Sequence, residues 1–257
     1  MARVAENSSN YLSSIQKTCR VLSTLTDPKR VRLTDIAEAA GLDISTTLRI
    51  LKELESENFI ERDPETKHYS LGPQVYVMHN AMVAGIDIKA AARASLIRLA
   101  LQFGDTVILS VLTGWESVCV DLCLGDYPIR ANYLDVGSRR PLGIGAGSLA
   151  LLAALPKQQQ SSILPRVRQH LKKHYPNYSP DYLELERERT EKQGYAVLLE
   201  VVVQKMGGLG KVIYSPAGVP VAALSVAALS ERIQMREKEL ATALTHEAKL
   251  IENAWLP

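Results

Sequence analysis

Ser45, Arg49, Lys52 and Ser56 recur four, three and four residues apart in "LTDIAEAAGLDISTTLRILKELESENFIERD" (33–63). At about 100° per residue they stack along one side of a helix, with Thr46 and Glu53 at its margins. Ile44, Leu48, Leu51 and Leu54 gather on the opposite side and can bury. Hydroxyls and cations on an exposed helical face are the groups that hydrogen-bond phosphate oxygens and guanine edges in duplex DNA. The chemistry on offer is recognition.

Neighbouring residues must hold such a helix in place. Ile36, Ala37 and Ala40 form the apolar stripe of a shorter helix. Thr34 or Asp35 can cap its start, and Gly41 suits a left-handed helix end. Helix, glycine-containing turn and helix make the outline of a helix-turn-helix. One more helix, over 14–26, precedes them with Ile15, Cys19, Leu22 and Leu25 on one stripe. Phe59, Ile60 and Arg62, then Tyr69 and Leu71, flank "DPETK", where Pro64 suits the second position of a type I turn. That spacing predicts a hairpin wing carrying Lys67. Two amphipathic helices around a glycine also occur in proteins that never touch DNA. Residues 1–75 hold ten Lys or Arg against eleven Asp or Glu, so the segment has no overall basic footprint. The cations cluster locally instead: Lys29, Arg30 and Arg32, then Arg49 and Lys52, then Arg62 and Lys67. A near-neutral module neutralises few phosphates, so affinity for a duplex calls for a dimer.

The chain of 257 residues is long enough for one large domain or two smaller ones, and its hydrophobic fraction of 46% is that of a globular protein. No apolar run approaches the roughly 18 residues of a membrane span. "VPVAALSVAAL" reads as a buried strand, and "MARVAENSSNYLSS" lacks the apolar core of a signal peptide. Cys19, Cys119 and Cys123 are too few for a disulfide framework. Cys119 and Cys123 fall on the same face of one strand pattern and have structural roles. A cytoplasmic location with no membrane association is expected.

The pattern changes after Gly72. Pro73 can open a helix with Val75, Met78 and Met82 in phase and Gly85 as its stop, a linker helix over 73–85. It separates a DNA-binding domain, 1–72, from a second domain, 86–257. That domain starts with a helix carrying Ile88, Ala92, Leu96, Leu99 and Phe103. "TVILSVLT", "SVCVDLCLG" and "IRANYLDV" follow as strands. Helices are predicted over "GAGSLALLAALP" and, between Ser179 and Gly194, over "SPDYLELERERTEKQG". "YAVLLEVV", "LGKVIYSP" and "VPVAALSVA" read as strands. A last helix from Ser230 aligns Ile233, Leu240, Leu244, Ile251 and Trp255.

Catalytic constellations fail one by one. "GIGAGS" (143–148) is not G-x-G-x-x-G, and "GGLGK" (207–211) has Lys205 where a Walker loop needs glycine. Ser148 lacks the flanking glycines of a nucleophile elbow. The five histidines show no metal-ligand spacing, His170 and His174 included. Neither catalytic residues, a metal nor a cofactor is expected. The alternative, a metabolite-processing enzyme with an N-terminal interaction module, would need a nucleophile–base pair that 100–230 does not display. The glycine-rich helix start at Gly145, Ala146, Gly147 and Ser148 can admit a carboxylate to free N–H groups. Its small residues equally suit close packing of helix on sheet.

The segments "LTDIAEAAGLDISTTLRILKELESENFIERD", "HYSLGPQVYVM", "LDVGSRRPLGIGAGSLALLAALP" and "EKQGYAVLLE…VPVAALSVAALSERI" together resemble the IclR-type transcriptional regulators over about 14–255. The resemblance implies an α+β chain: a winged helix-turn-helix, a linker helix and a GAF-like mixed α/β effector-binding domain. It implies double-stranded operator DNA as partner, a small organic acid as effector, and assembly as a dimer or dimer of dimers. Ser45, Thr46 and Arg49 match the family's reading helix, with Lys52, Arg32 and Lys67 as further DNA-binding candidates. The implied ligand site joins Gly145, Ala146, Gly147 and Ser148 to Leu199, Glu200, Gly208, Ser225 and Ala227. A polar or acidic pair is common in the family at Leu198–Leu199, a cysteine at Gly208 and a small polar residue at Ala227. Each departure removes a polar group or volume. The implied pocket is larger and more apolar, fits an aromatic carboxylate and lacks a metal.

Overall fold

The computed structural model describes residues 12–27, 29–83, 87–130, 134–175 and 178–254, without the side chains of 79–83. Gly85 and Trp255, and the side chains of His79 and Met82, lie outside the described residues. The chain forms two compact units, Met1–Gly85 and Ile86–Pro257.

The first unit contains α1 (Ser14–Thr24), α2 (Leu33–Ala40), α3 (Ile44–Ser56), β1 (Ile60–Arg62), β2 (Tyr69–Leu71) and α4 (Pro73–Val83). Ser13 and Gln16 close a reciprocal capping box on α1. The buried stripe of α1 is Val21, Thr24 and Leu25, whereas Ile15 is 74% exposed and Cys19 is also exposed. The expected stripe holds at Leu22 and Leu25 and fails at Ile15 and Cys19. α2 begins at Leu33, two or three residues earlier than a cap at Thr34 or Asp35 would place it, and neither residue caps it. Gly41 ends it at φ 65°. Asp43, not weighed from the sequence, caps α3 by accepting from the Thr46 N–H. β1 and β2 pair antiparallel, Arg62 opposite Tyr69. The turn between them is fixed by Asp63 Oδ1, which accepts the N–H groups of Glu65 and Thr66.

The second unit is built on an antiparallel six-stranded sheet in the order β5-β4-β3-β8-β7-β6. The strands are β3 (Thr106–Thr113), β4 (Glu116–Cys123), β5 (Arg139–Pro141), β6 (Ala196–Leu199), β7 (Met206–Tyr214) and β8 (Pro220–Leu229). The helices are α5 (Ile88–Phe103), α6 (Ala146–Ala154), α7 (Lys157–His174), α8 (Pro180–Gln193), α9 (Ser230–Met235) and α10 (Glu237–Asn253). The run "VPVAALSVAAL" is apolar but for Ser225 because helices cover both faces of β8. Leu224 and Val226 point to α5 and α10, in a core with Leu99, Leu209 and Leu244. Ala223 points the other way, into a core with Leu149, Leu152 and Leu183.

Two expectations are overturned, and one helix is new. Ile129, Arg130 and 134–136 are not strand; the edge strand is β5, three residues further on. α7 has no clear periodic signature in the sequence: its surface is polar, Pro165 lies inside it, and only Gln160, Val167 and Leu171 are buried. Cys119 and Cys123 do not share a face. Cys119 pairs with Ser110 and Asp121 with Leu109, so Val120 is an extra, bulged residue that inverts the alternation.

Candidate DNA-reading helix and effector cavity

Helix α3 buries Thr47, Ile50, Leu51 and Leu54, while Ile44 is 54% exposed and Leu48 half-buried. The buried stripe is rotated by roughly one residue from the expected one. The rotation leaves Ser45, Arg49, Lys52 and Ser56 exposed and Thr46 half-buried. Arg32 and Lys67 are exposed too. Arg49 and Lys52 make no ion pair with another described residue. Lys67, at φ 61°, donates its Nζ to the Pro64 carbonyl within the wing turn. Arg62 lies over the buried Tyr69 ring at 5.4 Å.

The two hydroxyls at the start of α3 are engaged. Ser45 Oγ donates to Asp43 Oδ1 at 2.6 Å and Thr46 Oγ1 to Asp43 Oδ2 at 2.7 Å. The Ser45 hydroxyl, then the Thr46 N–H and hydroxyl, hold the Asp43 carboxyl far below the usual carboxylate range. Asp43 is therefore ionised, and the hydroxyls present acceptor lone pairs outward.

In the second unit, α6 runs over β7 and β8. A Cβ on Gly210 would meet the Ala146 carbonyl oxygen at 2.5 Å, so glycine is required for this close approach. "GGLGK" is thus a strand shaped for a helix, not a phosphate loop. Gly145, at φ 100°, caps α6 without a side-chain hydrogen bond, and first-turn N–H groups have no acceptor inside a helix. Ser148 is different: its hydroxyl donates back to the carbonyls of Ile144 and Gly145 at 2.6 and 2.9 Å. Its proton is not available to a ligand.

A cavity of about 50 Å³ opens between the α6 start and the sheet. Gly145, Ala146, Gly147, Ser148, Gly208, Ser225 and Ala227 line it. Leu199 and Glu200 do not. Leu198 faces the cavity, so Leu199 points to the opposite side, against the α5–α10 core. Glu200 is exposed at φ 60°. Arg140, Ser110, Ser117 and Cys119, not expected from the sequence, also line the cavity. Burial pushes the Cys119 thiol up to about 11, so it is protonated near neutral pH. Elsewhere, His170 and His174 stack ring on ring at 4.4 Å, and burial lowers the pKa of His170. Among the described residues no cluster of metal-ligating side chains forms, and no helix is long and apolar enough to cross a membrane.

The family of the IclR helix-turn-helix domain matches residues 14–64, and that of the bacterial transcriptional regulator IclR C-terminal domain matches 80–253. The chain is 27% identical over 228 residues to the acetate operon repressor of Salmonella typhimurium, covering 88% of this chain and 83% of that one. It is 26% identical over 234 residues to the transcriptional regulator XynR of Escherichia coli, covering 88% and 90%. The crystal structure of an IclR transcriptional regulator from Alicyclobacillus acidocaldarius superposes with a TM-score of 0.73 at 26% identity, covering 95% and 98%. An IclR homologue from Microbacterium hydrocarbonoxydans, crystallised with 4-hydroxybenzoate, shares the fold at 22% identity, with a TM-score of 0.71 and coverage of 94% and 98%. A helix-turn-helix with a free polar face, a separate sheet domain with a polar-lined cavity, and matches across both units lead to one assignment: the chain belongs to the IclR family of DNA-binding bacterial transcriptional regulators, not to a family of enzymes.

Proposed function

We propose that the protein binds operator DNA through the exposed face of α3, supported by the wing, as a dimer or dimer of dimers. An organic acid in the cavity beside α6 modulates that binding. The observation that carries the DNA contact is the exposure of Ser45, Arg49 and Lys52 opposite the buried Thr47, Ile50, Leu51 and Leu54. Arg32 and Lys67 add phosphate contacts. The effector is an acid with an apolar body, of which an aromatic carboxylate is the favoured example. Leu198, Met206 and Ala227 supply apolar wall, and 4-hydroxybenzoate is the compound named with the Microbacterium relative. At about 50 Å³ the cavity holds only a few waters, each needing roughly 10–15 Å³. An aromatic ring therefore requires the adaptable Met206 to shift.

Effector binding shifts operator affinity only if it favours one arrangement of the protein over another. A coupling of about 1–3 kcal/mol changes affinity some 5–150-fold. Helix α4, preceding the second unit in the chain, is the proposed lever. A gel shift on the DNA upstream of the gene, with and without benzoates and short-chain acids, tests the reading. A specific, acid-sensitive complex is expected. Binding to no upstream DNA would remove the operator reading, and a complex insensitive to every acid would remove the effector.

A further inference from the structure

The organic-acid reading leaves open which group holds the acid's charge, and the strand order bears on that question. Ser117 and Cys119 on β4 and Arg140 on β5 wall one side of the cavity, while Leu198 on β6 and Met206 on β7 wall the other. Between β4 and β6 lie four strand spacings, roughly 19 Å measured along the sheet. The cavity is thus polar and cationic at one end and apolar at the other. No Asp or Glu lines it among the described residues.

Three serines at this site make no side-chain hydrogen bond among the described residues. Ser110, Ser117 and Ser225 are 8%, 4% and 7% exposed, and none of their hydroxyls bonds to another described residue. Their residues are buried and line the cavity, so water or a guest there supplies the hydrogen bonds that the protein does not. Arg140, which is itself engaged in an interaction, reaches the same wall with a positive charge. Its Nη1 lies 3.3 Å from where a Cβ on Gly145 would stand, placing the guanidinium at the start of α6. Arg139 next to it is exposed and pairs with Glu116 at 3.1 Å, as the alternation of β5 requires. A guanidinium carries five N–H donors in a fork that matches both oxygens of a carboxylate.

Resting on the organic-acid reading, we propose that Arg140 is the carboxylate-binding residue of the cavity. It clamps the acid together with the first N–H groups of α6 and the Ser117 hydroxyl. The body of the effector then points along the cavity toward Leu198 and Met206. The site selects a monocarboxylate with an apolar tail, and a neutral isostere of the same shape binds poorly.

Calorimetric titration of the full chain with benzoate, benzamide and pyruvate tests this, on wild type, Arg140→Gln and Arg140→Lys. Wild type is expected to bind benzoate at least about tenfold tighter than benzamide, as a charge-assisted bidentate contact implies. R140Q should lose that preference, and R140K should keep part of it because the charge remains. If R140Q fails to unfold cooperatively, the wild-type and R140K titrations decide alone. Equal affinity of wild type for benzoate and benzamide overturns the proposal. An R140Q variant that still prefers benzoate tenfold overturns Arg140 and leaves the organic-acid effector standing. A wild type that binds neither acid overturns both.

Discussion

Ser45 donates its hydroxyl proton to Asp43 at 2.6 Å, so the first polar residue on the exposed face of α3 is tied to an anion. Thr46 is tied to the same carboxylate. Asp43 therefore both caps α3 and places a negative charge beside the surface proposed to meet phosphates. Asp43→Asn keeps a good helix cap and removes the charge. It is expected to bind both operator and scrambled duplex more tightly, with reduced discrimination, in fluorescence anisotropy at fixed salt. Unchanged or weaker binding to scrambled DNA would show that Asp43 does not face the phosphates.

The same carboxylate sets an acid limit. Its folded pKa is depressed, so its contribution to stability is present above the unfolded value of about 3.9 and fades as pH falls below it. Asp63, held low chiefly by the Thr66 N–H and then by that of Glu65, acts in the same direction on the wing. Circular dichroism between pH 6 and 3 should show helix loss beginning below about pH 4. That onset should be blunted in the double variant Asp43→Asn, Asp63→Asn. An unaltered acid transition in the variant would assign the sensitivity to other carboxylates.

Arg49 and Leu51 are two residues apart and should fail differently. Arg49→Ala removes an exposed cation that pairs with no other described residue, with an expected loss of about 1–3 kcal/mol in specific operator binding and no change in unfolding. Leu51 is fully buried, and Leu51→Ala should cost about 2–5 kcal/mol of stability in the first unit. Footprints unaltered by R49A would take that side chain out of the interface.

The outline of both units was legible in the sequence, because long-range order follows from periodicity and glycine positions. Gly41 and Gly194 end helices, and Ser179 caps α8, as their types dictate. Phase was less legible. On α1 the expected stripe fails at Ile15 and on α3 the buried stripe is displaced, because Ile15 and Ile44 sit in first turns with little to pack against. On β6, Leu198 and Leu199 are chemically identical, and only the pairing of Leu198 with Gly208 decides which one faces the cavity. On β4, the extra residue Val120 has no signature of its own, yet it turns Cys119 and Cys123 to opposite faces. Arg140 escaped because it lies on a three-residue edge strand in a run of two arginines. Nothing in its spacing separates it from the solvent-facing Arg139.

Asp105 is a buried anion, 3% exposed, that joins the end of α5 to the break between α9 and α10. It accepts from Arg232 at 3.0 Å and from Arg236 at 2.5 Å, and Arg232 also stacks on Tyr127 at 3.7 Å. Removing one partner of a buried ion pair leaves the others uncompensated. Asp105→Asn is expected to destabilise the second unit by about 3–5 kcal/mol, discounted somewhat because both arginines are about a quarter exposed. Urea unfolding followed by tryptophan fluorescence reports it, since Trp115 and Trp255 both lie beyond residue 85. A shift of well under 1 kcal/mol would mean that water already satisfies the pair.

Gly147 and Ser225 face each other across the cavity, with 3.1 Å between the Ser225 Oγ and the place a Cβ would take on residue 147. That distance is tight enough that Gly147→Ala must displace the serine or fill the space a carboxylate would use. Ser225→Ala alone removes a hydroxyl that has no partner among the described residues, and should cost little stability. In the double variant the new methyl group meets a methyl group instead of an oxygen, so the strain of the first change is partly relieved. A double-mutant cycle on thermal unfolding is expected to give a favourable coupling of about 0.5–1 kcal/mol. Benzoate binding should be weakened in each single variant and lost in the double. Additive stabilities would show that the helix start yields freely at this point. Benzoate binding that survives in the double variant would place the acid away from α6.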